Sequence, residues 1–241
     1  MTTILHKADT RGHADHGWLN SYFSFSFAGY YNPQRVQFGV LRVLNDDRVE
    51  GGKGFGSHPH DNMEIISIPL EGGLAHEDNL GHKEVVSTGE IQVMSTGKGV
   101  FHSEYNSSPD EPVKFLQIWV FPNKLNVTPR YDQVRLDPSK GHNALQQVIS
   151  PTPSDEGSWI YQDAWFYMGT FDAGRKIGYD IKKPGNGVYL FVIDGVFLYN
   201  GQRLEKRDGL GITDVASLHL EAAEQGSRIL IMDVPMTNNI Q

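Results

Sequence analysis

Short runs of alternating apolar and polar residues, separated by glycine-rich turns, cover most of this chain. Phe23, Phe25 and Phe27 alternate with serines, and a period of two gives a β-strand one apolar face. Runs of the same kind predict strands over 36–44, 65–70, 90–94, 115–120 and 145–149. The chain is therefore expected to be rich in short strands.

The end of one of these runs and the lack of a helical period also bear on the fold. The run over 36–44 is expected to end at residues 45–47, because Asn-Asp-Asp is typical of a turn. No segment keeps a helical period over a dozen residues, and the best helix candidate is the short stretch 218–225. The sequence predicts an all-β fold.

The two halves of the chain look like faint copies of each other. Five of the twelve prolines lie between residues 122 and 158, which predicts a domain boundary near 135–145. On either side, a hairpin pattern runs from Gly73 to Gly89 and from Gly195 to Gly209. We therefore expect one duplicated β-barrel unit, with residues 1–138 and 139–241 as its two domains.

Two short clusters carry the candidate chemistry. His58 and His60 are two positions apart, as are His102 and Glu104, and that spacing puts both side chains on the same face of a strand. Three imidazoles and a carboxylate that converge from neighbouring strands make a transition-metal site. Glu64 can be a fifth ligand, a general base or an acceptor that orients a ligand imidazole, and we favour the last.

The duplication provides an internal comparison for this site. The offsets of the two clusters from the hairpin glycines fall, in the second half, on Asp180, Lys182, Ala222 and Glu224. These residues do not reproduce the ligand set. The sequence therefore predicts one metal site per chain, in the N-terminal half.

Composition narrows the class of protein. The net charge of −8 over 241 residues argues against nucleic-acid binding, which usually needs a basic face. The absence of cysteine excludes disulfides and thiolate metal sites. No run approaches 18 apolar residues, and the start has no apolar signal core. We expect a cytoplasmic protein that binds neither nucleic acid nor membrane.

The other histidines and the aromatic residues near the N-terminus are expected to be surface or core residues. His13 and His16 lie in a loop-like context and are predicted to be surface residues, while His76 and His82 flank a hairpin turn and are predicted to be solvated. The aromatic residues of 18–31 are typical of a core, although some rings can line a cavity beside a metal. No G-x-S-x-G elbow indicates a hydrolase.

The two clusters resemble the motifs of the cupin superfamily. The first motif, G-x5-H-x-H-x3/4-E-x6-G, and the second, G-x5/7-P-x-G-x2-H-x3-N, are matched by Gly52, His58, His60, Glu64, Gly72, Gly89, Gly99, His102 and Asn106. The last glycine of the first motif comes one place late, and Gly97 stands where proline is usual. Over nearly its full length the chain resembles the pirin family, in particular its bacterial quercetinase-type members, through the pieces His58-Pro59-His60 and His102-Ser103-Glu104.

This resemblance implies an architecture and a ligand set. The fold would be a bicupin, two tandem double-stranded β-helix barrels with metal only in the N-terminal one. The ligands would be His58, His60, His102 and Glu104, with Glu64 not among them. One divalent transition metal per chain is implied, with iron as the first choice and copper, manganese, nickel or zinc as alternatives.

The implied reaction is the 2,3-dioxygenation of quercetin. A flavonol would give its 3-hydroxyl proton to Glu104 as catalytic base, and O2 would add across the central ring, which opens and releases CO. The alternative is a metal- and redox-sensing pirin that acts as a protein-binding co-regulator; a sugar-directed cupin isomerase fits the motifs less well. We expect a monomer, because two fused barrels bury the faces that single cupins use to dimerise.

Overall fold

The computed structural model describes residues 1–240, and almost all regular structure within them is β. The strands are, first, β1 (Thr2–His6), β2 (Gly12–Asp15), β3 (Leu19–Phe23), β4 (Leu41–Val49), β5 (Gly54–His60), β6 (Glu64–Glu71), β7 (Gly73–Asp78), β8 (Lys83–Ser87), β9 (Glu90–Ser95), β10 (Val100–Asn106) and β11 (Val113–Val120). They continue as β12 (Arg130–Arg135), β13 (Gln146–Ser150), β14 (Ser158–Trp159), β15 (Trp165–Phe171), β16 (Lys176–Asp180), β17 (Asn186–Asp194), β18 (Phe197–Tyr199), β19 (Gln202–Leu204), β20 (Gly209–Thr213), β21 (Ser217–Ala222) and β22 (Ser227–Pro235). A 3₁₀ turn over Ala8–Thr10 is the one helical element of the described residues. The all-β prediction is confirmed.

The helix candidate over 218–225 is wrong, because residues 218–222 belong to β21 and residues 223–225 form no helix. Leu218, Leu220 and Ala222 are buried, whereas Ser217 before them and His219 between the two leucines are exposed. That alternation has the period of a strand that is buried on one face. The short stretch held too few residues to separate the two periods by sequence.

The chain forms two compact units. The N-terminal barrel comprises Gly12–Leu136 and Ser158–Gln162 with residues 238–240, and the C-terminal barrel comprises Met1–Arg11, Asp137–Gly157 and Asp163–Thr237. The first strand belongs to the second unit, since β1 pairs antiparallel with β20. The division into domains 1–138 and 139–241 stays a prediction. The two units differ from it, because residues 1–11 belong to the C-terminal barrel and residues 158–162 and 238–240 belong to the N-terminal barrel.

The N-terminal barrel contains two sheets. The larger has the strand order β12-β9-β6-β11-β4-β3-β2, and the smaller has the order β5-β10-β7-β8. Strands far apart in sequence are neighbours in both sheets, as in β11 beside β4 and β10 beside β5. The smaller sheet carries both candidate metal-binding clusters on adjacent strands.

The C-terminal barrel repeats this arrangement. Its smaller sheet has the order β16-β21-β18-β19, which corresponds to β5-β10-β7-β8, and its larger sheet includes the order β1-β20-β17-β22-β15-β13. The duplication inferred from the hairpin patterns is therefore present in the topology.

The barrels differ in what their small sheets bury. In the C-terminal barrel the facing pairs on β16 and β21 are Ile177 with Leu220 and Tyr179 with Leu218, all of them core residues. The sequence offsets selected Asp180, Lys182 and Glu224, which are exposed, and Ala222, which is a core residue of β21. The buried facing pairs of these two strands therefore contain no imidazole and no carboxylate.

The turn expected at residues 45–47 lies inside strand β4. The strand runs from Leu41 to Val49, so the predicted turn is wrong. Asn45 and Asp47 are both buried, at 3% and 6% exposure. Pairing on both sides, with β3 and with β11, keeps this polar stretch extended.

Across residues 1–240, no helix combines the length and the apolar character that crossing a membrane requires.

Candidate metal centre

Three histidines meet on the inner face of the smaller sheet of the N-terminal barrel. Strands β5 and β10 are antiparallel, with His58 directly opposite His102 and His60 opposite Val100. The ring centroids are 4.4 Å apart for His58 and His102, 5.0 Å for His60 and His102, and 4.8 Å for His58 and His60. One ring nitrogen of each histidine lies within 4.8 Å of the others, so the three can share one ion.

A bulge beside this pair sets the place of Glu104. The register of β5 against β10 shifts between His102 and Glu104, so that Glu104 faces Phe55. A bulge of this kind re-aims a side chain within a ladder. Gly54 permits the close approach, because a Cβ there would lie 2.3 Å from the carbonyl oxygen of Glu104.

Hydrogen bonding and burial leave ring nitrogens of His58 and His102 available to bind a metal. His58 Nδ1 lies 2.8 Å from the carbonyl oxygen of Gly56, which can only accept, so this nitrogen carries the proton and Nε2 keeps its lone pair. His102 is buried, and neither of its ring nitrogens has a hydrogen-bond partner among residues 1–240. Buried polar atoms are normally partnered. Unpaired nitrogens that face two other imidazoles fit a transition metal.

Electrostatics keep two of the three imidazoles neutral, those of His60 and His102. Burial, reinforced by the neighbouring imidazole of His58, lowers the pKa of His60 to about 4. The same two causes lower the pKa of His102 to about 3, with His60 and His76 adding to the effect. Neutral imidazoles are the form that metals bind.

Glu104 lies on the buried side of the cluster. Gln117 Nε2 donates a 2.8 Å hydrogen bond to its Oε2, and Ser67 Oγ lies 3.2 Å from its Oε1. Burial raises the pKa of Glu104 to about 7, against the lowering effect of these two hydrogen bonds. The carboxyl group is thus held in one orientation and poised to change protonation state near neutral pH.

Glu64 is directed elsewhere. Its Oε2 accepts a 2.6 Å hydrogen bond from Ser95 Oγ, and the backbone N–H of Tyr161 also bonds to the carboxylate. Burial raises its pKa to about 7. The interpretation of Glu64 as an acceptor for a ligand imidazole is wrong, because its partners are a hydroxyl and a backbone amide.

His76 was missed by the sequence analysis. It was predicted to be solvated, yet it is 1% exposed and faces into the barrel from β7. It stands directly across from Glu104 on β10, and its ligand atom lies within 4.8 Å of those of His102 and Glu104. Its position near a hairpin turn concealed its burial, and only strand parity with Leu74 could have indicated it.

A cavity of about 640 Å³ opens onto the cluster. Aromatic rings form much of its wall, namely Phe23, Phe27, Tyr30, Phe55 and Trp119. Trp119 packs edge-on against both His60 and Phe27, at centroid distances of 4.9 and 5.4 Å. The rings of residues 23–30 therefore line a cavity in addition to filling a core, and His13 and His16 also reach its wall.

Polar side chains also line the same cavity. Asn45, Asp47, Glu104 and Gln117 all line it. Ser21 Oγ donates to Asp47, and burial raises the pKa of that carboxyl group to about 7. A cavity of this size with aromatic walls and a few fixed polar groups is typical of a small-molecule site.

Two family models and several known proteins are similar to this chain. The family model named Pirin matches residues 5–120, and the model of the quercetinase C-terminal cupin domain matches residues 147–234. The quercetin 2,3-dioxygenase of Escherichia coli (strain K12) is 42% identical over 96% of this chain and 98% of that protein. The chain belongs to the pirin family.

Further pirins agree with this membership. A pirin-like protein of Caulobacter vibrioides is 38% identical over 92% of this chain and 96% of its own length. The crystal structure of the bacterial pirin YhhW from Escherichia coli in complex with nickel(II) superposes with a TM-score of 0.91 at 40% identity, covering 97% of this pirin and 99% of that chain. The bicupin fold is therefore confirmed.

Proposed function

We propose that this pirin is a metal-dependent quercetin 2,3-dioxygenase, which opens the central ring of flavonols with O2 and releases CO. The observation that carries the proposal is the cluster of three histidines with Glu104 beside a cavity walled by aromatic rings. The activity named for the Escherichia coli relative supports the same assignment.

The proposed ligands are His58, His60, His102 and Glu104, around one divalent transition metal per chain. Iron is our first choice, with copper, manganese, nickel and zinc as alternatives, because a set of imidazoles and one carboxylate suits all of them. When bound, the ion supplies a Lewis acid with coordination positions open to substrate and oxygen. The complex of YhhW with nickel(II) supports the binding of a transition metal by this pirin.

Glu104 is the proposed catalytic base. Its carboxylate would take the proton of the flavonol 3-hydroxyl, and a base whose pKa lies near the working pH is efficient in that role. Burial brings the pKa of the carboxyl group to about 7 before a metal binds, and a bound cation would favour the carboxylate form that accepts the proton. Gln117 and Ser67 hold the two oxygens in place, so that the proton is received at a fixed position.

The cavity would bind the flat polyphenol. Rings of Phe27 and Trp119 offer apolar faces to its aromatic system, and Asn45 and Asp47 offer polar groups to its phenolic hydroxyls. Enclosing the substrate in this way removes water from the reacting centre.

The test is aerobic turnover of quercetin by protein reconstituted with Fe(II), Cu(II), Mn(II) or Ni(II). Flavonol absorbance and CO release are measured for wild type, His102→Ala and the exposed control His142→Ala. We expect metal-dependent turnover that His102→Ala abolishes and His142→Ala retains. Stoichiometric metal binding without turnover would overturn the proposal in favour of the co-regulator function.

The cytoplasmic location and the monomeric state stay predictions. Gel filtration of the purified protein tests the second.

A further inference from the structure

A second set of metal-ligand atoms adjoins the three-histidine cluster. One ligand atom from each of His76, His102 and Glu104 lies within 4.8 Å of the other two. All three residues are buried, whereas His58 and His60 are only half-buried. The ring centroid of His76 is 5.4 Å from that of His102, so His102 stands between the two sets.

The hydrogen bonds of His76 prepare it as a ligand. Its Nε2 lies 3.2 Å from Asp78 Oδ2, which can only accept, so Nε2 carries the proton and Nδ1 keeps the lone pair. Asp78 is itself fixed by His82 Nδ1 at 2.8 Å and by the backbone N–H groups of Leu80 and His82 at 2.9 and 3.0 Å. A histidine that donates to a carboxylate through one nitrogen and offers the other is the usual arrangement of a metal ligand.

No hydrogen bond within the described residues accounts for the burial of His76 Nδ1. His76 Nδ1 is buried and has no hydrogen-bond partner within the described part of the chain. Packing accounts for the ring, which lies 4.7 Å from the ring of Tyr131, but packing leaves the lone pair unsatisfied. A buried acceptor that faces an imidazole and a carboxyl group is suited to a cation.

We propose that His76, His102 and Glu104 form a second, more buried position for the divalent transition-metal ion. The inference rests on the proposed metal centre. His102 and Glu104 belong to both positions, so one ion occupies them in turn, with His76 taking the place of His58 and His60. Two imidazole nitrogens and one carboxylate oxygen suit the same metals as the first position.

Co(II) binding to purified, metal-free protein tests the second position. Calorimetry gives the affinity and stoichiometry, and visible absorption reports the coordination of Co(II). In a His58→Ala/His60→Ala variant we expect one Co(II) per chain, bound about 10- to 100-fold more weakly than in wild type. Adding His76→Ala should weaken this binding at least tenfold further and change the visible spectrum. Adding His142→Ala instead, at an exposed histidine of the C-terminal barrel, should leave both nearly unchanged.

Two results would overturn the inference: no Co(II) bound by the double variant, or binding that His76→Ala does not change. Circular dichroism checks that each variant folds, and if the double variant does not, the same comparison is made on His58→Ala alone. Quercetin turnover by wild-type protein tests the proposed function separately, so failure of one is distinguishable from failure of the other.

Discussion

Gln117 Nε2 donates a 2.8 Å hydrogen bond to Glu104 Oε2, across the boundary between the two sheets of the N-terminal barrel. Gln117 comes from β11 of the larger sheet and Glu104 from β10 of the smaller one. Ser67 Oγ lies 3.0 Å from the amide oxygen of Gln117 and 3.2 Å from Glu104 Oε1, so its single proton is shared between these two acceptors. The larger sheet thus orients the proposed base that the smaller sheet supplies.

Gln117→Leu should lower kcat for quercetin by about 10- to 100-fold, because the carboxylate of Glu104 loses its fixed orientation. Steady-state kinetics with measured metal content checks this. Gln133→Leu is the matched control, since Gln133 also donates to a carboxylate, that of Glu90, at 3.0 Å. Equal activity of the two variants would contradict the role of Gln117.

Removal of the metal should destabilise the protein. An ion that binds only the folded state adds about 2.7 kcal/mol to the free energy of unfolding at 100 times its Kd. Thermal unfolding with and without a chelator measures the difference. His102→Ala should abolish the stabilisation by metal, and His142→Ala, on an exposed side chain, should keep it. A metal response that survives His102→Ala would place the ion elsewhere.

Stability should depend on pH through Glu64. Burial raises the pKa of Glu64 to about 7 in the folded protein, above the ordinary value of 4.5. The folded state therefore holds a proton that the unfolded chain releases, and the free energy of unfolding falls as pH rises from about 4.5 to 7. Glu64→Gln should gain up to about 3 kcal/mol relative to wild type between pH 4.5 and 8.

Urea unfolding at a series of pH values checks this prediction. Glu71→Gln, at the exposed end of the same strand β6, is the control and should follow wild type. A constant difference between Glu64→Gln and wild type at all pH values would show that Glu64 is ionised at neutral pH in the folded protein.

Gly54→Ala should reduce both stability and metal affinity. The added methyl group would meet the backbone of Glu104 and Tyr105, at 2.3 and 2.5 Å, and would push β5 away from β10. Overpacking of this kind costs about 1–3 kcal/mol. Gly56→Ala on the same strand has only the Tyr105 hydroxyl at 3.8 Å nearby and should be tolerated. Unfolding and metal titration of both variants measure the contrast.

Phe27→Ala should raise the KM for quercetin about tenfold with a smaller change in kcat. The ring lines the cavity without contacting the histidine cluster, so its loss removes binding energy common to substrate and transition state. Steady-state kinetics measures the split between KM and kcat. Tyr31→Ala, at an exposed ring outside the cavity, should match wild type. An unchanged KM in Phe27→Ala would place the flavonol elsewhere.

The sequence by itself determined the fold class and the three-histidine cluster. Alternation of apolar residues is a local property of each strand, and His58, His60 and His102 could be read from a spacing of two because that spacing fixes the face of a strand. The wrong local predictions lie where pairing overrides propensity. Residues 45–47 stay extended between two neighbouring strands, and residues 218–225 were too short a stretch for their period to be recognised.

Only the tertiary structure decided which side chains meet across the sheets. The burial of His76, the orientation of Glu104 by Gln117 and Ser67, and the partnership of Glu64 with Ser95 all depend on residues distant in sequence. The cavity likewise draws its wall from several strands and loops. Sequence spacing places neighbours along one strand, whereas strand order and register place neighbours between strands, and the chemistry of this centre lies in the latter.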